Sequence, residues 1–98
     1  MRQRKTEGVD GAAVAARLLL TREALGHKQN TFARLAGIKD STYNQYEKGE
    51  RFLPVSAAHK LSDAYNLTFD WLYRGDPSGL RYDLAEAIKA LRQARGTR

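Results

Sequence analysis

The sequence lacks the residues that build several common kinds of site. Of its 98 residues none is a cysteine, and two are histidines, His27 and His59. The absence of cysteine excludes a disulfide framework and a thiolate metal site, and two histidines are too few to supply a set of metal ligands alone. We therefore expect no metal and no cofactor.

Long apolar runs are also missing. The longest run of large apolar residues, Leu18-Leu19-Leu20, is far shorter than the roughly 20 residues that a membrane-spanning helix needs. The basic start Met1-Arg2-Gln3-Arg4-Lys5 leads into no apolar signal core. We expect a cytoplasmic protein that has no membrane partner, with one small domain and terminal segments.

Positive charge is concentrated at the two ends of the chain. The net charge is +6, but residues 8–80 contain nine basic and eight acidic residues and so contribute only +1. Residues 1–7 contribute +2, and residues 81–98, with five basic and two acidic residues, contribute +3. Basic ends suit contact with nucleic acid phosphates, although they equally favour solubility. We predict a basic N-terminal arm, residues 1–9, in which Arg2, Arg4 and Lys5 either follow a DNA groove or belong to a flexible segment.

Residues that start and stop helices recur at short intervals. Asp10 is a helix cap, Gly26 and Gly49 are helix stops, and Pro54 fits the start of a helix. With the apolar periodicity these signals predict helices over residues 11–25, 29–36, 40–48, 54–65, 69–74 and 82–94. No alternating strand pattern is present. We predict an all-α fold with a five-helix domain over residues 10–75, followed in residues 76–98 by a turn, an additional amphipathic helix and a basic tail.

The second and third predicted helices are short and lie close together. The small Ala33 falls on the inner side of the second helix, Gly37 ends it, and the apolar Ile38 precedes the third. This spacing is typical of a helix-turn-helix, in which two helices cross closely around a tight turn. An ordinary αα-hairpin fits the spacing equally well.

An ordered set of residues carries a resemblance to a known family. The set consists of Arg22, Gly26, Gln29, Ala33, Gly37, Ile38, Glu47, Gly49, Arg51, Pro54, the run Leu67-Thr68-Phe69-Asp70-Trp71-Leu72, and Gly75. Over residues 22–75, more than half of the chain, the sequence resembles the Cro-like and phage-repressor-like helix-turn-helix regulators, also called the XRE family. Each match alone is common, whereas the ordered set is specific.

The resemblance implies that the third helix, residues 40–48, enters the major groove of double-stranded DNA as the recognition helix. The residues predicted to read bases are Asp40, Ser41 and Gln45. Those predicted to contact the DNA backbone are Lys28, Gln29, Lys39, Asn44, Lys48 and Arg51. The resemblance also implies a structural ion pair between Arg22 and Glu47, which ties the first helix to the end of the third. Without the resemblance, a solvated polar face explains the same residues.

Two positions depart from the family pattern. Lys28 and Lys39 stand where the family usually has Ser or Thr caps, and a lysine cannot accept a hydrogen bond from the exposed N–H groups. For the acid Asp40 we rank three explanations: that it caps the third helix, that it accepts a hydrogen bond from a cytosine, or that this face has drifted away from DNA binding.

The recognition helix is nearly neutral, which suggests that affinity is gained by binding as a homodimer. The residues predicted for a dimer contact are Trp71, Leu84, Ile88 and Leu91. The last helix can equally fold back onto its own domain, because a chain of this length has a small core.

The main hypothesis for function is a sequence-specific transcriptional regulator of bacterial or phage type. It would be a repressor that acts as a homodimer on a palindromic operator, in the bacterial cytosol or nucleoid. The alternative is a helix-turn-helix module that binds a protein partner, as an antitoxin does. We expect no enzyme and no small-molecule ligand, because the sequence has no nucleophile with a base at a suitable spacing and no glycine-rich phosphate loop.

Overall fold

A computed structural model describes residues 10–96, and every regular element in that range is helical. The elements are α1 (Gly11–Leu25), α2 (Gln29–Leu35), α3 (Asp40–Lys48), α4 (Val55–Tyr65), a single π-helical turn (Asp70–Arg74), a 3-10 turn (Pro77–Gly79) and α5 (Tyr82–Gly96). The prediction of an all-helical fold is confirmed. None of these helices is long and apolar enough to cross a membrane. The predicted arm residues Arg2, Arg4 and Lys5 lie outside the described residues.

Local signals account for where most of the helices begin and end. Asp10 precedes α1, and its Oδ1 accepts a hydrogen bond from the backbone N–H of Ala12 at 3.0 Å. The bounds of α1 and α3 are as predicted, α2 ends one residue earlier, and α5 extends two residues further. The predicted fifth helix, residues 69–74, is instead the π-helical turn Asp70–Arg74. That turn buries two adjacent side chains, Trp71 and Leu72.

The connection between α2 and α3 is a tight turn centred on Gly37. This residue has a φ of 76°, in the left-handed region that glycine adopts without steric cost. The N–H of Ile38 closes the turn by donating to the carbonyl of Ala33 at 2.9 Å. From α4, Lys60 Nζ donates to the carbonyl of Gly37 at 3.3 Å. The methyl side chain of Ala33 is fully buried, which allows the two helices to cross closely.

The hydrophobic core is one cluster that includes the only tryptophan of the chain. The indole of Trp71 is fully buried, and its Nε1 donates to Thr21 Oγ1 at 2.8 Å. The hydroxyl of Thr21 in turn donates to the carbonyl of Arg17 at 2.6 Å. Other fully buried members of the cluster are Leu18, Phe32, Ala33, Tyr43, Ala58, Leu61 and Leu72. The buried indole N–H of Trp71 and the buried hydroxyl of Thr21 are therefore both hydrogen-bonded.

The last helix packs against its own domain, mainly against α1. Leu84 and Ile88 are buried, Leu91 packs against the core, and the Arg92 guanidinium lies 5.2 Å from the centroid of a Trp71 ring. The predicted dimer contact through Trp71, Leu84 and Ile88 is therefore wrong, because the chain itself buries them, and Leu91 is partly covered as well. Burying the apolar stripe of the last helix removes apolar surface from water, and this burial stabilises a domain whose core is small.

Replacing Thr21 by valine retains the shape of the side chain but removes the oxygen that accepts the indole hydrogen bond. We expect the free energy of unfolding to fall by about 1–3 kcal/mol, because the Trp71 N–H is left buried without an acceptor. Urea unfolding followed by tryptophan fluorescence measures the change. The exposed Thr31 of α2 provides the control, and Thr31→Val should alter stability by no more than about 0.5 kcal/mol. Equal stability of the two variants would contradict the structural role of Thr21.

Candidate nucleic-acid interface

The carboxylate of Glu47, near the end of α3, is the centre of a polar network that joins three helices. Arg22 of α1 binds it in a bidentate manner, with Nε 2.7 Å from Oε2 and Nη2 3.1 Å from Oε1. The two side chains are only 15% and 5% exposed, respectively. The third nitrogen of the guanidinium, Nη1, donates to the carbonyl of His27 at 3.0 Å, which also fixes the loop between α1 and α2.

Two neutral side chains complete the shell around this carboxylate. Gln29, the first residue of α2, donates from Nε2 to Oε1 at 2.9 Å. The hydroxyl of Tyr43 donates to Oε2 at 2.6 Å from one turn earlier in α3. Glu47 therefore accepts four hydrogen bonds, two of them from its partner charge. A nearly buried ion pair is stable only when its remaining hydrogen-bonding capacity is satisfied in this way.

The network also determines the ionisation of its members. Burial by itself raises the pKa of Glu47, but the hydrogen bonds from Arg22, Tyr43 and Gln29 outweigh it and hold the pKa below the usual value. The hydrogen bond to Glu47 raises the pKa of Arg22. Burial, and next the bond to Glu47, raise the pKa of the Tyr43 hydroxyl. At neutral pH the pair is therefore charged and the tyrosine is a neutral donor.

The opposite face of α3 carries two of the three residues predicted to read bases. Tyr43 and Tyr46 are buried on the inner face, whereas Ser41 is exposed and Gln45 is partly exposed. Ser41, Asn44, Gln45 and Lys48 recur at intervals of three and four residues and so share one side of the helix. We call these four residues the recognition stripe. Its side chains are at least partly exposed, so that an approaching ligand can reach them.

The structure brings together two of the residues predicted to contact the DNA backbone. Asn44 Nδ2 donates to Gln29 Oε1 at 2.8 Å, so that the recognition stripe is joined to the Glu47 network through Gln29. Each of these amides has two N–H groups and uses one of them here, which leaves each a donor for a phosphate oxygen. No sequence signal indicated this bond. The Tyr43–Glu47 bond was also missed, although its spacing of four residues on one helix is a signal for contact.

Asp40 does not cap α3, and the prediction that it does was wrong. Lys39 occupies the cap position without a side-chain hydrogen bond, and Asp40 is the first residue inside the helix. Its side chain points instead to the end of α2, where Oδ2 accepts a hydrogen bond from Arg34 Nη2 at 3.2 Å. The negative charge still lies in the first helical turn, where the helix dipole favours it. No pattern in the sequence indicated Arg34 as the partner of Asp40.

The remaining predicted backbone contacts are exposed cations. They are Lys28, Lys39, Lys48 and Arg51. Lys28 precedes α2 and Lys39 precedes α3, while Lys48 and Arg51 lie at and after the end of α3. They therefore lie at the ends of the two helices that form the helix-turn-helix. Within residues 10–96, no three His, Asp or Glu side chains are grouped so that they can hold a metal ion.

Comparison with known proteins agrees with this geometry. A family model described as "Helix-turn-helix" matches residues 18–72, which is more than half of the chain. The chain therefore belongs to this family and is a DNA-binding helix-turn-helix regulator of the Cro-like and phage-repressor-like, or XRE, type. The matched segment runs from the middle of α1 to the π-helical turn and includes the whole Glu47 network. No curated protein and no solved structure gave a significant match.

Replacing Glu47 by glutamine removes the charge that compensates Arg22. We expect the free energy of unfolding at pH 7 to fall by roughly 1–3 kcal/mol. Because the pKa of Glu47 is lowered in the folded state, its stabilising effect is present above the unfolded pKa, near 4.5, and is lost as the pH falls through the folded pKa. The difference between wild type and Glu47→Gln should therefore be largest near neutral pH and shrink below about pH 4.5.

Urea unfolding at a series of pH values tests this linkage. Glu50→Gln, at an exposed position three residues further along, is the control and should change stability little at any pH. A difference between wild type and Glu47→Gln that stays constant from neutral to acid pH would contradict the linkage.

Proposed function

We propose that this regulator reads a specific sequence of double-stranded DNA and acts as a transcriptional repressor, as a homodimer on a palindromic operator in the cytoplasm of a bacterium. The observation that carries the proposal is the recognition stripe, an exposed polar face on a helix whose inner face is fixed by the Glu47 network. A repressor of this kind acts by occupying DNA that the transcription machinery needs.

The chemistry of the stripe suits the edges of base pairs. Recognition helices lie in the major groove with their N-terminal residues at the bases. There, the amide of Gln45 can pair with both N6 and N7 of adenine, and the hydroxyl of Ser41 can donate or accept. The exposed cations at the helix ends, together with the donors that remain on Gln29 and Asn44, suit the phosphates on either side.

Charge supports the dimeric part of the proposal. The helix α3 contains two acidic residues, Asp40 and Glu47, and one basic residue, Lys48. Affinity for phosphate therefore depends on a few cations at the periphery of each copy, and two copies on one duplex double their number. Two-fold dimers accordingly bind half-sites about one helical turn apart.

An exposed aromatic cluster offers a surface for this dimer. Phe52, Val55 and Phe69 are 51%, 61% and 38% exposed. The ring of Tyr73 lies between the two phenylalanines, with its centroid 5.9 Å from each, and His59 contacts Phe69 at 6.1 Å. Val55 is one helical turn before His59 on α4. We call these five residues the aromatic patch. Mutual ring contacts already order the four ring-bearing side chains of the patch, so that association costs little further side-chain entropy.

The surroundings of the aromatic patch favour a second copy of this chain as its occupant. Residues 50–74, the stretch of chain that contains all five patch residues, include three basic and three acidic residues and so carry no net charge, although the chain as a whole carries +6. Two copies therefore meet at this face without net repulsion. A patch that is apolar, ordered and electrically neutral is suited to self-association.

Alanine variants at Ser41 and Gln45 test base reading. Binding sites selected from a random duplex pool should contain a palindromic consensus, and each variant should relax the preference at one position per half-site by about 1–3 kcal/mol. Gln93→Ala, on the exposed side of α5, is the matched control and should leave the preference unchanged. The absence of any consensus, or a consensus that both variants retain, would count against sequence-specific reading by α3.

Val55→Glu tests the aromatic patch as the dimer surface. Val55 is the first residue of α4, a position where an acid is favourable for the helix, so the variant should fold. Two copies would then bring like charges together in the patch, and we expect the dimer to weaken at least about tenfold, as judged by sedimentation equilibrium. Tyr82→Glu makes the same change at the first residue of α5, where the side chain is 79% exposed, and should leave the dimer intact. Dimers that resist Val55→Glu would exclude this surface.

A further inference from the structure

Arg34 and Asp40 form an ion pair at the start of the recognition helix. Arg34 belongs to the last turn of α2 and Asp40 to the first turn of α3, and Nη2 lies 3.2 Å from Oδ2. Both side chains are accessible, at 69% and 46% exposed. An ion pair this exposed contributes little to folding stability, so stability is a poor explanation for it. Its place is more informative, since N-terminal residues of a recognition helix meet base edges.

The pair changes how an acid at this position interacts with DNA. An isolated carboxylate beside phosphates is repelled by them. Here, the guanidinium of Arg34 compensates the charge of Asp40, and the adjacent exposed Lys39 leaves the group with a net charge of +1. Asp40 can therefore approach the duplex as part of a cationic group.

The geometry also leaves part of the carboxylate for a ligand. Arg34 engages only Oδ2, and a carboxylate has a second oxygen that accepts hydrogen bonds and never donates them. In the major groove, guanine and thymine present acceptors, which a carboxylate repels. Adenine presents a donor next to the N7 acceptor, while cytosine presents the N4 donor alone. Cytosine is therefore the base that suits an anchored carboxylate best.

We infer that Arg34 is a positioning residue for base specificity, which holds Asp40 so that Oδ1 accepts a hydrogen bond from N4 of one cytosine in each half-site. This inference rests on the proposed function. It adds to that function a preferred base, cytosine, and a residue that sets the preference, Arg34. Arg34 itself contacts Asp40, and it acts on the DNA through that side chain.

Binding measurements on the selected operator test the inference. The operator duplex is compared with duplexes in which one half-site position carries each of the other three bases. Each duplex is titrated with wild type, Arg34→Ala, Asp40→Asn and the double variant. Wild type should prefer cytosine at one position about fivefold or more. Arg34→Ala should lose most of that preference. Asp40→Asn should also lose the cytosine preference and instead favour adenine, since an asparagine side chain both accepts and donates hydrogen bonds. The double variant should lose no more of the cytosine preference than Asp40→Asn does, because the two residues act as one unit.

Arg51→Ala is the matched control, because it removes an exposed arginine outside the pair. It should weaken all duplexes alike and leave the cytosine preference unchanged. Thermal unfolding checks that each variant folds, which the exposure of both side chains favours. A cytosine preference that Arg34→Ala retains, or a loss of affinity that is uniform over all duplexes, would overturn the role of Arg34.

The same experiment separates this inference from the proposed function. If the selected sites respond to Ser41→Ala and Gln45→Ala but no position responds to Asp40→Asn, the protein reads DNA and the inference alone is wrong. If no position responds to any of these variants, both are wrong.

Discussion

The carboxylate of Glu47 is the constraint on which the rest of the structure depends. A charge that is only 5% exposed is tolerated when it is paired and fully hydrogen-bonded, and its donors come from three different helices. A rotation or shift of α3 relative to α1 or α2 lengthens at least one of these bonds. The network thereby fixes which face of α3 is buried and, as a consequence, which face carries the recognition stripe.

The interior and the surface of this helix-turn-helix are connected through side chains. Glu47 accepts from Gln29, and Gln29 accepts from Asn44 on the recognition stripe. Side chains held in this way keep their rotamers before a ligand arrives, which reduces the entropy lost on binding. At the other end of α3, Arg34 and Asp40 form a second polar contact between α2 and α3. Polar contacts between the two helices therefore occur at both ends of the surface proposed to meet DNA.

Local rules in the sequence predicted the helices well, because Asp10, Gly26 and Gly49 act on the backbone within one turn. The Arg22–Glu47 pair was available only from family resemblance, since the two residues are 25 positions apart and spacing carries no such information. The apolar stripe of α5 predicted that this face is buried, but it could not distinguish the protein's own core from a partner. The bonds of Asn44 to Gln29 and of Arg34 to Asp40 depend on the angle between α2 and α3, which only the folded chain defines.

The central claim is that the recognition stripe is the surface that meets DNA. Two-dimensional NMR of the 15N-labelled chain, titrated with the selected duplex, tests it most directly, because each residue other than proline contributes its own backbone N–H signal. The account predicts that the largest shift changes occur in α3 and at the start of α2, with smaller changes at the aromatic patch. Changes confined to the aromatic patch and α5, with none in α3, would contradict it.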